Sequence, residues 1–373
     1  MHRLLLIAVL AAPPSNAVAQ NTVDVWLGTS GHRLSKGIYH GTLNTDNGRL
    51  SPPVLAAEVQ GPGFLATHPA LPCLYAVGTL DGTPSLIAYS IESTAAGRGL
   101  QLLNSAAIGD GGAAHLAVDG TGHTIVTAQY GGGSTAVFSL NDDGSIKERT
   151  QLIEHEGGSN VRPNQKSPHP HWAGFSPDNR FAFVPDLGKD EVLIYSVDAR
   201  QSKLTPHGSG ILPPGAGPRH MKFHPNGMWI YVLNENDVSV TVFGYDAEAG
   251  TMRARQTIPA VPKEQLYREQ TFSASEIRVH PNGRFVYSAN RGHDTVTAFR
   301  VDPESGTLSV IEREHVRGAR PRNFNLDPSG RWLLAGGQDS HTLSSFAVDQ
   351  ETGELMYNHS VVHTPSPICV LFE

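Results

Sequence analysis

A unit of about fifty residues recurs along the chain, and this repeat constrains the fold more than any other feature of the sequence. Its first marker is a strand ending in aromatic, any residue, apolar, then Asp, Glu or Asn. Copies stand at Tyr89-Ser90-Ile91-Glu92, Phe138-Ser139-Leu140-Asn141, Tyr195-Ser196-Val197-Asp198, Phe243-Gly244-Tyr245-Asp246, Phe299-Arg300-Val301-Asp302 and Phe346-Ala347-Val348-Asp349, with a weaker one at Tyr39. From aromatic to aromatic the steps are 50, 49, 57, 48, 56 and 47 residues. The second marker is a turn before an aromatic-rich strand: His68-Pro69, Asp119-Gly120, Ser176-Pro177, His224-Pro225, His280-Pro281 and Asp327-Pro328. Proline at the second turn position, followed by Asn, Asp, Ser or Gly, is common β-turn chemistry. The last four steps of this marker are again 57, 48, 56 and 47, in register with the first.

Each unit reads as strand, Pro-turn, strand, loop, strand, Gly-turn, strand. Seven such units predict an all-β chain, a seven-bladed β-propeller with four antiparallel strands per blade. Two β-sandwich domains would not require seven copies in register. Composition agrees, since 39 Gly and 26 Pro against 17% charged residues favour many turns and short strands over helices. The ends complete the count. Ser366–Val370 resembles the strand before the Pro-turn in other units, and Asp24–Gly28 resembles the strand after it. One blade is therefore expected to be closed by both termini, which removes free sheet edges.

The chain divides into a signal peptide, residues 1–19, and a single propeller domain, residues 20–373. His2 and Arg3 precede an apolar run from Leu4 to Ala12, and Ala17-Val18-Ala19 supplies a small-residue cleavage site. That run is too short to anchor in a bilayer, so a periplasmic or secreted protein is expected. A net charge of −7 argues against nucleic acid or an anionic membrane surface as partner. Cys73 and Cys369 lie in apolar strand contexts and read as buried free thiols. No cluster among the 18 His and two Cys has metal-ligand spacing, so neither a metal nor another cofactor is expected.

The repeat also serves as a ruler. Six residues before each Pro-turn position, at the start of the innermost strand, stand Gly63, Ala114, His171, Arg219, Ser275 and Arg322. Ten residues after it, at the end of the next strand, stand Thr79, Tyr130, Leu187, Glu235, Arg291 and Gln338. In an antiparallel pair these two positions share one edge, so both sets face one end of the funnel. His171, Glu235, Arg219 and Arg291 are the expected catalytic group there, with Arg322, Gln338 and Tyr130 binding substrate. Two repeats carry longer loops before the inner strand, residues 154–168 and 259–273. They add Arg162 and Lys166 as further substrate contacts, with Lys263, Tyr267 and Arg268 nearby. Guanidinium groups on the rim and floor of an acidic protein point to an anionic ligand. Taken singly, each of these side chains could equally hold neighbouring blades together. His115, Trp172, His220 and Glu276, one position further along, read as packing or support. His224, His280 and Asp327 read as solvated or turn-capping groups, and Trp229, Tyr231, Phe285 and Trp332 as core.

At these residues the chain resembles the lactonase family of seven-bladed propellers, which includes propeller-type 6-phosphogluconolactonase and 3-carboxy-cis,cis-muconate lactonizing enzyme. The matching stretches are Ser167–His171, Gly217–Gly227, Tyr231–Glu235, Ser288–Asp294 and Arg320–Phe324. A His, an Arg, a Glu and a second Arg of the lactonizing enzyme's site correspond by this resemblance to His171, Arg219, Glu235 and Arg291. The resemblance implies metal-free hydrolysis of a small anionic lactone. A cyclising enzyme of the muconate type, or an exported propeller that binds an anionic sugar or a protein without chemistry, stays open. The signal peptide departs from the pattern, because both named activities serve cytoplasmic metabolism.

Overall fold

Seven four-stranded antiparallel sheets stand radially around one axis in the computed structural model, which describes residues 21–31, 34–94 and 97–373. The expected signal peptide lies outside the described residues. From the axis outward, blade 1 is Pro367–Phe372, Thr22–Thr29, Gly37–Asn44 and Val54–Glu58. Blades 2 to 7 follow in chain order. Their innermost strands are Gln60–Thr67, His115–Val118, Gly174–Phe175, Pro218–Phe223, Ser273–Val279 and Pro321–Leu326. The fold class is as the repeat predicts. The two long loops each add one short turn of helix, Pro163–Gln165 and Lys263–Leu266. No helix among the described residues is long and apolar enough to cross a membrane.

Burial falls from the second strand outward. Every residue of Trp229–Asn234 is buried, because blades pack on both faces of this strand. In the outermost strand of the same blade, Thr251–Pro259, exposed residues dominate and half-buried ones recur between them. Apolar residues on both faces of the inner sheet supply the driving force, at roughly 25 cal/mol per Å² removed from water.

Polar contacts between blades repeat with the same period, and the sequence reading missed them. The turn histidines are neither solvated nor merely local caps. His224 Nδ1 accepts from the Asn226 amide, while its Nε2 lies 2.7 Å from the Gly283 carbonyl of the next blade. His280 does the same with Gly330 at 2.9 Å, and His68 with Gly122 at 3.0 Å. A second series uses tyrosines of the second strand: Tyr75, Tyr231 and Tyr287 donate to the carbonyls of Gly144, Gly306 and Gly353 in the following blade. Gly306 has φ +74°, and a Cβ there would meet the Trp229 ring at 2.3 Å, so the outer turn must be glycine to tuck under the neighbour.

Both termini build blade 1, as expected. Trp26 pairs with Leu371, Leu27 with Val370 and Gly28 with Cys369. The indole of Trp26 donates to Glu373 at 2.7 Å. Asn323 of blade 7 accepts from the Val370 amide at 2.8 Å, and Asn325 donates to the Val370 carbonyl at 3.0 Å. Cys73 and Cys369 are buried and free, in agreement with the sequence reading. Deleting residues 366–373 strips the strand that pairs with Thr22–Thr29 and uncovers the apolar wall on either side. The expected loss rivals the whole stability of a typical domain, about 5–15 kcal/mol, and yields insoluble protein. A truncated chain that melts cooperatively near the wild-type temperature would contradict this closure.

Candidate active site

The innermost strands are irregular at the ruler positions. In blade 5 Pro218 pairs with Asn234 and His220 with Leu233, which leaves Arg219 as an extra, bulged residue. Blade 7 repeats this between Pro321 and Asn323, bulging Arg322, and blade 6 skips Ser275 and Glu276 between Ala274 and Ile277. Pro218 and Pro321 lack an N–H and suit such breaks. In blade 4 the ladder shrinks further, and only a bridge between Pro170 and Asp186 precedes Gly174–Phe175. A bulge cancels strand alternation locally. Arg219 and His220 therefore both line the axial cavity although they are consecutive.

That cavity measures about 150 Å³ and is lined by Gly63, Phe64, Ala113, Ala114, His171, Arg219, His220, Arg322 and Ile368. Its size suits one end of a sugar-sized ligand. Beside it, Arg219 Nε donates to Glu235 Oε2 at 2.7 Å, and Arg291 Nη2 lies 3.0 Å from Glu235 Oε1. Arg219 Nη1 also reaches the Ser275 carbonyl and lies 3.0 Å from His220 Nε2, while Arg291 Nη2 donates to the Ala274 carbonyl at 2.8 Å. The guanidinium of Arg322 makes no hydrogen bond or ion pair with any described residue. Three guanidinium groups and one carboxylate leave this end of the axis with a surplus of positive charge.

The carboxyl of Glu235 feels burial, which pushes its pKa up. Arg291, Arg219 and Arg322 outweigh burial and hold it below the usual carboxylate range. Burial pulls Arg219 down to about 9 and Arg322 down to about 10, and both stay charged at neutral pH. Burial, then Arg219 and His220, push His171 well below the ordinary histidine value, so its imidazole is neutral. His171 Nδ1 is buried without a hydrogen-bond partner. Its ring stands edge-on to Tyr130 with centroids 5.3 Å apart.

A layer of side chains one residue further along closes the cavity below. His220 Nδ1 lies 3.1 Å from Glu276 Oε1, and Asn323 donates to Glu276 Oε2. Because Arg219 donates to His220 Nε2, the Nδ1 of His220 carries the proton toward Glu276. Phe64 and His115 pack beside it with their rings tilted and centroids 4.1 Å apart. His220 and Glu276 thus support Arg219, as one of their two expected roles. Asp186 was not foreseen: its buried carboxylate accepts from the His169 amide at 2.7 Å, faces His155 Nδ1 at 2.7 Å and pins the segment that carries His171. The only sequence cue was the Asp before Leu187.

The remaining expected residues are spread wider. Tyr130 sits against both His171 and His169. Gln338 directly follows the second strand of blade 7, Trp332–Gly337, with its Oε1 buried and without a hydrogen-bond partner among the described residues. Arg162 lies on the rim, bonded to Asp237 at 2.6 Å and to the Gly215 carbonyl at 2.8 Å, beside Lys263 and Tyr267. Lys166 is exposed on the same loop. Neither of these two lines the axial cavity. A larger cleft of about 490 Å³ opens between blades 5 and 6, but its Arg284 and Arg300 are bonded to backbone carbonyls of blade 7.

Fold and site define a seven-bladed propeller with a guanidinium-lined pocket at one end of its axis. The family model described as Lactonase, 7-bladed beta-propeller matches residues 24–372, and the chain belongs to that family. It is 36% identical over 347 residues to a 6-phosphogluconolactonase of Bacillus subtilis, across 93% of this chain and 97% of that protein. A 6-phosphogluconolactonase of Formosa agariphila is 31% identical over 301 residues, across 78% and 82% of the two chains. Among solved structures, the periplasmic gluconolactonase of Pseudomonas aeruginosa superposes with a TM-score of 0.87 at 29% identity, across 94% of this chain and 99% of that one.

The Glu235 clamp has a pH signature. A carboxyl whose pKa is lowered on folding stabilises fully above its unfolded value, about 4.3. That contribution is lost as pH falls through the lowered folded value. Glu235→Gln leaves Arg219 and Arg291 facing each other uncompensated and should cost about 2 kcal/mol at pH 7. Thermal melts of both proteins should show the gap closing below about pH 4. A gap that stays constant down to pH 3 would show that the pair contributes nothing through its charge.

Proposed function

We propose that this chain is an exported hydrolase of a sugar lactone bearing an anionic group, with 6-phosphogluconolactone the best-fitting substrate. The observation that carries the reading is a guanidinium with no hydrogen-bond or ion-pair partner among the described residues, Arg322, in the same cavity as a neutral imidazole, His171. Relatives named 6-phosphogluconolactonase supply the reaction class. Export rests on the amino-terminal sequence and on the likeness to a periplasmic gluconolactonase.

In this mechanism Arg322 holds the anionic group through paired hydrogen bonds. His171 takes a proton from water as the oxygen attacks the lactone carbonyl. Negative charge moves onto the carbonyl oxygen, where Arg219 stabilises it. Collapse breaks the bond to the ring oxygen, which takes the proton back from His171, and the open-chain acid leaves. Glu235 stays ionised. Its lowered pKa makes it a poor base, so in place of proton traffic it positions Arg219 and Arg291.

His171→Ala should lower kcat for lactone hydrolysis by about 10²–10⁴-fold. Arg322→Ala should raise KM for the phosphorylated lactone by at least about tenfold and lower its kcat, while an unphosphorylated lactone is hydrolysed no more slowly than by wild type. Hydrolysis at the wild-type rate by His171→Ala would sink the assignment. For export, residues 1–30 fused to alkaline phosphatase should give periplasmic activity, and a cytoplasmic, inactive fusion would remove that part of the reading.

A further inference from the structure

The axial channel has a second mouth, and its lining is built by the same register. Three residues beyond His171, Arg219, Ser275 and Arg322, the inner strands present Gly174, Lys222, Arg278 and Asn325. With Trp172 and Leu371 they line a cavity of about 410 Å³ on the far side of the layer formed by Phe64, His115, His220 and Glu276. The wall is two-sided. Blades 5, 6 and 7 contribute Lys222, Arg278 and Asn325, whereas blades 1 to 4 contribute Leu371, Ala66, Ala117 and the Trp172 indole.

The polar groups on that wall differ in how they are used. Asn325 donates to the Val370 carbonyl at 3.0 Å. Arg278 donates to the Phe324 carbonyl at 3.3 Å and to Glu276 at 3.5 Å. The ammonium group of Lys222 makes neither a hydrogen bond nor an ion pair with any described residue, and its Nζ lies 4.8 Å from the centroid of the Trp172 ring. A cation–π contact alone is a weak substitute for the water an ammonium group gives up. Burial, and then the like charge of Arg278, pull this lysine down to about 7, with Glu276 and Cys369 acting the other way. An anion entering this mouth would relieve both effects.

We infer that the far mouth of the channel is a second binding site, for a small organic carboxylate whose apolar body lies against Trp172 and Leu371 and whose charge meets Lys222 and Arg278. The site is separate from the pocket of His171 and Arg322, and it does not depend on that pocket being hydrolytic.

Calorimetric titration of the purified full-length protein with benzoate tests it. Benzoate should bind wild type and Arg322→Ala alike, and Lys222→Met should weaken binding at least about tenfold, the loss of one charge-assisted contact. Melting of Lys222→Met at or above the wild-type temperature would confirm that its fold is intact. Should it fail to fold, Arg278→Gln replaces it with the same expected loss. Three results would overturn the proposal: no binding at millimolar benzoate, loss of binding in Arg322→Ala but not in Lys222→Met, or inorganic phosphate binding to Arg322→Ala as tightly as benzoate does.

Discussion

The structure depends on one pairing, between the last strand and the first. Each blade buries both faces of its inner strands against its neighbours, so an open arc of six and three-quarter blades would leave two apolar faces in water. Val25–Gly28 against Cys369–Phe372 closes the ring, and Asn323 and Asn325 of blade 7 then bond to Val370. Closure also fixes how near the seven inner strands come to the axis. The cavity around His171 and Arg219 has Ile368 of that same terminal strand in its wall. The site therefore forms only when the ring is complete.

Within that ring, bulges convert a structural wall into a chemical one. Regular strands would hide alternate side chains between blades. The bulge at Arg219 turns the successive side chains Arg219 and His220 into the axial cavity, and Ser275–Glu276 and Arg322 break the ladder at the same level of blades 6 and 7. The result is a stack of layers with distinct characters: guanidinium groups at one mouth, aromatic and imidazole rings with Glu276 in the middle, and Lys222 with Arg278 at the other. The middle layer keeps two cationic clusters apart in a narrow, weakly screened space. Glu235 offsets part of the charge above it and Glu276 part of that in and below it.

The repeat made the architecture legible, because turn chemistry and strand-end aromatics are local signals that survive in one sequence. The ruler also located the bulged positions without showing that they were bulged, since the count from the Pro-turn is unaffected by how the strand pairs. What stayed hidden depends on contacts between blades. His224 and His280 looked like turn caps because nothing local reveals Gly283, 59 residues on, or Gly330, 50 residues on, in the next blade. Arg162 reads as a substrate contact from the end of the funnel its loop faces, and its ion pair is not legible in the sequence. Its partner Asp237 lies 75 positions away, and no spacing rule connects them. Lys222 drew no attention in a strand whose other polar residues already had roles.

In the proposed mechanism, the charge arrangement around His171 would give the pocket a selectivity that its shape alone would not. An imidazole held neutral by burial and by nearby Arg219 is a weak base in the free protein. A neutral lactone entering the cavity changes little, because it leaves the guanidinium field in place. An anionic substrate that paired with Arg322 would cancel part of that field, and the imidazole beside it would become a better proton acceptor. Binding energy at the anionic group is then spent partly on basicity, which appears in kcat and not only in KM. Discrimination between charged and uncharged lactones would come from the electrostatic coupling of Arg322 to His171 as much as from contact with the charged group itself.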